Sequence, residues 1–302
     1  MGNPLVSIII PTYSRPKNLV RAIESVLTQT YDNIEIIIVD DNGIGTKHQK
    51  ETEKVLESYL LSNKVVYLKH DVNKNGSAAR NTGVNAAHGE IIGLLDDDDE
   101  FLANKIEEQV LCLEKAHQQN IKVCGCFCNG LIVTKTHRHA VINHVKGNLA
   151  EQLLLGEVRF NSSTIIVYKE SYIKIGGFDE RYKRHQDWEF FLRFLGKYDF
   201  VQACPDTWLN IKHSTPNVLT KNMFKSIEYK EFFLKNFEKE ILNMPQASAI
   251  YHYQYILLVY SLIRGRFLKE AWKYFQKSNS YQVVSLKEYL KIIESLILSF
   301  LK

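Results

Sequence analysis

Ile91-Ile92-Gly93-Leu94-Leu95-Asp96-Asp97-Asp98-Asp99-Glu100 is a short apolar run that ends in consecutive acidic residues. The apolar half has no helical period and reads as a buried strand. The acidic half cannot continue into a core, because an unpaired buried carboxylate costs on the order of several kcal/mol or more. These groups therefore lie where the strand leaves the sheet, facing water or a cation. Residues two apart on an extended backbone point the same way, so Asp96 and Asp98 share one side and Asp97 and Asp99 the other. Carboxylates packed so closely repel one another. A hard divalent cation relieves the repulsion, and magnesium-type sites combine one or two carboxylates with substrate phosphates. The alternative is a solvated acidic loop, but here a strand delivers the whole run to one point.

Upstream, the same kind of strand recurs. Val6–Ile10 is an apolar run stopped by Pro11, and Pro16 opens a helix with Leu19, Val20, Ile23, Val26 and Leu27 on one face. Ile34–Val39 is a second strand running into the turn signal Asp40-Asp41-Asn42-Gly43. A polar helix follows, then a strand at Val65–Leu68, then a loop at Asn73–Ser77 whose serine can cap a helix reaching about Ala87. Strands alternating with helices imply a mostly parallel sheet, whose ligands bind beyond the carboxyl ends of the strands. Pro11, Asp40-Asp41 and the acidic run all fall at such ends.

Downstream, the pattern predicts a helix from Leu102 to about His117, a strand within Val123–Val133, a polar loop at Thr136–His139 and a strand at Phe160–Val167. Gly176-Gly177-Phe178-Asp179 is a turn, and Arg184–Leu192 opens a helix with Asp187 in its first turn, where the helix dipole alone favours an acid. From about Asn217 the pattern is helical throughout. Residues 217–302 hold 13 Lys/Arg against 7 Asp/Glu, a local net charge of +6, with interleaved aromatics. The last segment aligns Leu286, Tyr289, Leu290, Ile293, Ile297 and Phe300 on one stripe. A basic amphipathic stretch of this kind can lie in a lipid interface, pack on the rest of the chain or form a dimer contact.

The 302 residues, 45% hydrophobic and 24% charged, suit a soluble globular chain of one large or two modest domains. A formal net charge of +4 is too small to argue for nucleic acid. The five cysteines lack the spacing of a zinc site and read as reduced core thiols in a reducing compartment. The start of the chain shows no signal-peptide pattern, and no segment offers the roughly 20 apolar residues of a membrane span.

In this order and at this spacing the motifs resemble the inverting family 2 glycosyltransferases of bacterial polysaccharide synthesis, over roughly residues 5–215. They are Ser7–Tyr13, Ile38-Val39-Asp40-Asp41, Ala79-Arg80-Asn81-Thr82-Gly83, Gly89-Glu90 leading to Leu95–Asp99, Gly176-Gly177-Phe178-Asp179 and Gln186-Asp187-Trp188-Glu189. The resemblance implies an α/β fold of the GT-A (nucleotide-diphospho-sugar transferase) type, with a mostly parallel central sheet and flanking helices. It would occupy residues 1–215, with a nucleotide-sugar half over 1–105 and an acceptor half over 106–215, before a helical region at 216–302. It also implies residue roles. Pro11 and Tyr13 would lie beside the nucleobase, Asp41 would accept a hydrogen bond from it, and Arg80 would sit near base and diphosphate. Asp97 would hold the ribose. Asp98, helped by Asp96, would ligate Mn2+ or Mg2+, and Asp187 would be the catalytic base. Gln186 stands where a glutamate is frequent, so no neighbour need raise the pKa of Asp187.

The expected reaction is transfer from a nucleotide-diphospho-sugar, a UDP-sugar by resemblance, to a hydroxyl of a glycan or polyprenol-linked acceptor with inversion. The expected setting is capsule, exopolysaccharide or other cell-surface glycan synthesis. The expected location is cytoplasmic and peripheral at the inner face of the membrane through residues 217–302, with a homodimer as a further partner. A sugar-nucleotide pyrophosphorylase would carry a glycine-rich basic loop after the first strand, and Pro11–Pro16 has no glycine. Asp96, Asp98 and Asp187 argue against a non-catalytic sugar-nucleotide-binding scaffold.

Overall fold

The structure, a computed structural model, describes residues 2–134, 136–213 and 223–300, without the side chain of Phe300. Strand β1 (Val6–Thr12) is built of β-branched residues that fit a buried strand. Helix α1 (Pro16–Leu27) starts on a proline whose fixed φ suits a first turn, and it buries Leu19, Ala22, Ile23 and Val26. There follow β2 (Ile34–Asp40), α2 (Lys47–Leu56), β3 (Val65–Lys69), α3 (Gly76–Ala86) and β4 (Ile91–Leu94). β1 pairs in parallel with β2 and β4, and β2 with β3. This places the carboxyl ends of β4, β1 and β2 side by side.

The chain continues through β5 (Asp99–Phe101), α4 (Lys105–Gln119), β6 (Val123–Phe127), β7 (Asn129–Val133), β8 (Arg138–Val141) and α5 (Leu149–Leu155). After these come β9 (Ile165–Tyr168), α6 (Lys169–Lys174), α7 (Gln186–Leu195), β10 (Asp199–Gln202) and β11 (Trp208–His213). The larger sheet has the order β10-β6-β9-β4-β1-β2-β3, and only β9 runs against its neighbours. A smaller sheet, β5-β11-β7-β8, pairs β11 antiparallel to β5 and parallel to β7.

Several local readings are corrected here. The helix expected from Leu102 begins at Lys105, because the Leu102 N–H instead bonds the Leu209 carbonyl at 3.0 Å. The strand expected within Val123–Val133 is two strands in different sheets, parted at Cys128. The supposed loop at Thr136–His139 overlaps β8, the return strand of a hairpin closed by the Thr134 N–H on the His137 carbonyl at 2.9 Å. The cap of α3 is Asn75, not Ser77: its side chain accepts from the Ser77 and Ala78 N–H groups at 2.8 and 3.3 Å.

Helix α3 lies so close to β1 that a Cβ on Gly83 would meet Ile9 Cγ2 at 2.3 Å. Gly83→Ala should therefore cost about 1–3 kcal/mol of stability by overpacking, read as a lower denaturation midpoint with an unchanged m-value. An unchanged midpoint would show that the helix can step away from the sheet.

Two compact units divide the chain. The first is Met1–His144 with Arg159–Asn217 and contains both sheets. The second is Val145–Val158 with Val218–Lys302, so residues 145–158 group with the C-terminal helices and not with their sequence neighbours. It contains α5, α8 (Met223–Asn236), α9 (Glu238–Leu242), α10 (Ala247–Arg264), α11 (Leu268–Tyr281) and α12 (Leu286–Phe300). α10 is its core helix, burying Ile250, Tyr255, Ile256, Val259, Leu262 and Ile263. Among the described residues no helix is long and apolar enough to cross a membrane.

Candidate active site

The acidic run leaves β4 beside the end of β1, within the first unit. Asp97 is fully buried. It accepts hydrogen bonds from the Thr12 hydroxyl at 2.8 Å and the Tyr13 N–H at 3.3 Å, and Arg15 lies 2.8 Å from its other oxygen. Burial pushes its pKa up to about 7, against the opposing pull of Arg15 and Thr12. Arg15 also donates to the Asp98 carboxylate, and Arg21 bonds the Asp98 carbonyl at 3.0 Å. Pro11 is the next-to-last residue of β1, and the Tyr13 side chain is half exposed just beyond it.

Asp96 faces the other way, which corrects the expected alternation. The run is a turn, closed by the Asp99 N–H on the Asp96 carbonyl at 2.9 Å, so Asp98 shares Arg15 with Asp97 and not a side with Asp96. Arg80, buried in α3, donates to its carboxylate at 2.5 Å and reaches Ser162 and Gln186 at 3.3 Å. The Ser162 hydroxyl donates to the same Asp96 oxygen at 3.3 Å. The Ser162 N–H reaches the Asp187 carboxylate at 3.4 Å from the first turn of α7. Arg80 and Ser162 thus connect Asp96, from the first hundred residues, to Asp187. Burial raises the pKa of Asp187, Arg80 and Lys212 hold it down, and Asp96 adds to the rise. The expectation that no neighbour raises this group is corrected: Gln186 brings no charge, but Asp96 supplies one through space.

A third cation, after Arg15 and Arg80, lies at the cluster. β11 pairs with β5 so that Lys212 stands opposite Asp99. Burial lowers the pKa of the Lys212 ammonium, but Asp99, Asp96, Asp187 and Asp98 outweigh it and the net direction is up. Burial, with help from Asp96, pushes Asp99 up to about 7. Sequence reasoning missed both Arg15 and Lys212. Arg15 could have been found, since it follows the first strand directly. Lys212 could not, because only the pairing of distant strands brings it to Asp99.

Asp41 stands apart from this cluster. Its carboxylate oxygens take His70 Nδ1 at 2.7 Å, Asn73 Nδ2 at 2.8 Å, and the Lys74 and Asn75 N–H groups at 2.7 and 2.9 Å. The protein itself saturates this group, which holds the loop between β3 and α3. A nucleobase contact there would have to replace one of these bonds.

Two acids close to Asp187 have other employment. Glu189 is buried and paired with Arg193, whose guanidinium also bonds the carbonyls of Ile175 and Gly177. Asp179 is held by Arg181 at 2.6 Å. Among the described residues, no group of three or more His, Cys, Asp or Glu gathers as a metal cage. The hard oxygen donors of Asp96 and Asp98 suit a cation that completes its shell with substrate phosphates.

A family model described as "Glycosyl transferase family 2" matches residues 7–176. The amylovoran biosynthesis glycosyltransferase AmsB of Erwinia amylovora is 28% identical over 241 residues, 76% of this chain and 76% of that one. The structure of residues 1–349 of S. aureus TarS in complex with UDP-GlcNAc superposes with a TM-score of 0.63 at 16% identity, over 97% of this chain and 79% of that one. The mannosyltransferase PcManGT of Pyrobaculum calidifontis, in complex with GDP-Man and Mn2+, gives 0.59 at 15% identity, over 98% of this chain and 81% of that one. At such identities the two structures speak for the fold, which is the GT-A type.

Proposed function

This chain belongs to glycosyl transferase family 2, and from that premise we propose that it moves a sugar from a UDP-sugar to an acceptor hydroxyl with inversion. The acceptor would be a glycan or a polyprenol-linked glycan in cell-surface polysaccharide synthesis, as the likeness to AmsB supports. One observation carries the reading: Asp187 is brought to the nucleotide-side carboxylates through Ser162 and Arg80, with a helix start behind it.

In this reading Pro11 and Tyr13 flank the nucleobase, Asp97 holds the ribose, and Arg80 lies along the diphosphate. Asp187 takes the proton of the acceptor hydroxyl as that oxygen attacks the anomeric carbon. The bond from that carbon to the diphosphate oxygen breaks, and the diphosphate leaves with the electron pair. A single displacement on the opposite face inverts the centre and needs no enzyme nucleophile. Asp98 and Asp96 would hold Mn2+ or Mg2+, which when bound neutralises the departing diphosphate. Arg15, now on Asp98, and Lys212 supply positive charge from the protein beside the same group. UDP is favoured by the fold neighbour that binds UDP-GlcNAc, and a metal by the one that holds Mn2+.

Incubating the protein with a panel of nucleotide sugars and Mn2+ should release UDP selectively by slow donor hydrolysis. Release confined to a GDP- or dTDP-sugar would overturn the choice of uridine. Calorimetry should show UDP binding weakened by chelator and by Asp98→Ala; binding indifferent to both would remove the metal role.

The lipid contact and the homodimer expected of residues 217–302 compete for one apolar face, on α12. The peripheral location at the inner membrane face stands or falls with the first of them.

A further inference from the structure

Helix α12 is turned the wrong way round for a helix of a free monomer. Its inner face carries Ser295 and Ser299, 6% and 5% exposed, while Leu286, Leu290, Ile293 and Ile297 point outward at 77%, 59%, 50% and 55%. The inward seating is fixed by polar contacts. His252 of α10 lies 3.1 Å from the Glu288 carboxylate, and Arg266 donates to the Ser299 carbonyl at 2.9 Å. Beside the outward stripe runs an apolar groove of about 230 Å³, lined by Ile263, Leu268, Trp272 and Phe275 and by Tyr289 and Leu296 of α12 itself.

The stripe repeats at steps of four, three and four residues, the seam spacing by which one helix packs along another. A lipid surface would ask for a cationic helix. Over Leu286–Phe300 the charges are Lys287 and Lys291 against Glu288 and Glu294, a net of zero. The two flanks of the stripe also differ. Lys287 and Glu294, one heptad apart, border one side, and Tyr289 and Leu296 border the other. In an antiparallel pair like flanks meet, which sets Lys287 against the partner's Glu294 and joins the apolar flanks over the groove. In a parallel pair unlike flanks meet, and each charge would face an apolar residue.

We propose that the outward face of α12 is a two-fold interface with a second copy of this chain, the two α12 helices running antiparallel. The interface is self-complementary, as a two-fold contact requires. It rests on α12 and its groove alone and is independent of the transfer chemistry.

Sedimentation equilibrium of the full chain should give a dimer, twice 35.0 kDa. Leu290→Glu with Ile293→Glu should give monomers with an unchanged far-ultraviolet circular-dichroism spectrum at 25 °C, since neither side chain belongs to the core. Lys287→Glu should raise the dimer dissociation constant about tenfold by setting like charges together, and Lys287→Glu with Glu294→Lys should restore it. A chain monomeric at all concentrations, or a dimer indifferent to these changes, overturns the proposal. So does a monomer that floats with phosphatidylglycerol vesicles and loses them in the Leu290→Glu, Ile293→Glu variant, which would give the face to lipid.

Discussion

Asp187→Asn should lower sugar transfer by about 10²–10⁴-fold while donor binding stays near wild type. Asparagine keeps the shape and the contact with the Ser162 N–H but cannot take the acceptor proton. The two acids that could replace it are committed elsewhere, Glu189 to Arg193 and Asp179 to Arg181. Their substitution should act on stability first. The pKa of Asp187 is raised by burial, so the acid limb of the pH–rate profile should lie above the usual carboxylate range, with the rate falling as pH drops through it. Near-wild-type transfer by Asp187→Asn, with loss in a Glu189 or Asp179 variant that still folds, would show the base to be elsewhere.

Lys212→Met should destabilise the protein by about 0.5–3 kcal/mol, because it removes a half-buried cation that offsets the charges of Asp99, Asp96 and Asp187. It should also lower transfer, whereas Lys212→Arg should keep much of both. The loss should depend on pH. The folded pKa of Asp99 is raised to about 7. A raised acid pKa means that the folded state holds a proton the unfolded chain has released, so stability falls as pH rises through that value. Without Lys212 the penalty should therefore be larger at pH 8 than at pH 5.5, measured by denaturant melts in chelator. An equal loss at both values would mean that Lys212 acts by packing and not by charge.

The first hundred residues were legible because each buried strand there is a continuous apolar run cut off by Pro11, Asp40 or Asp96. The acidic run announced that carboxylates gather at the end of β4, but period two misplaced them, because the run is a turn and not extended backbone. The Asp99 N–H bonds the Asp96 carbonyl at 2.9 Å, and Arg15 joins the adjacent Asp97 and Asp98. Later elements pair over long distances with short strands, and nothing local marks them. Hence the start of β8 read as a loop, β6 and β7 read as one strand, and β5 was hidden inside the acidic run itself. Residues 145–158 carry helical spacing that does not say which unit they join. The saturation of Asp41 was invisible because two of its partners are backbone N–H groups, which any sequence provides, and the side chains of His70 and Asn73 are brought to it only by the fold. The stripe of α12 was legible, but its direction was not: hydrophobicity alone predicts it inward, and the contact of Glu288 with the buried His252 turns it out.

The pairing of β5 with β11 also bears on the order in which the protein can fold. His213 meets Glu100 at a sequence separation of 113. Closing so long a loop is entropically costly and belongs among the later folding events. Until β11 docks, the aspartates repel one another without Lys212 between them. During synthesis the β1–β4 layer can form as it emerges, but its acidic edge stays open and solvated until residue 212 has left the ribosome. A fragment truncated before β11 should therefore fold in part and show no sugar transfer in a donor–acceptor assay.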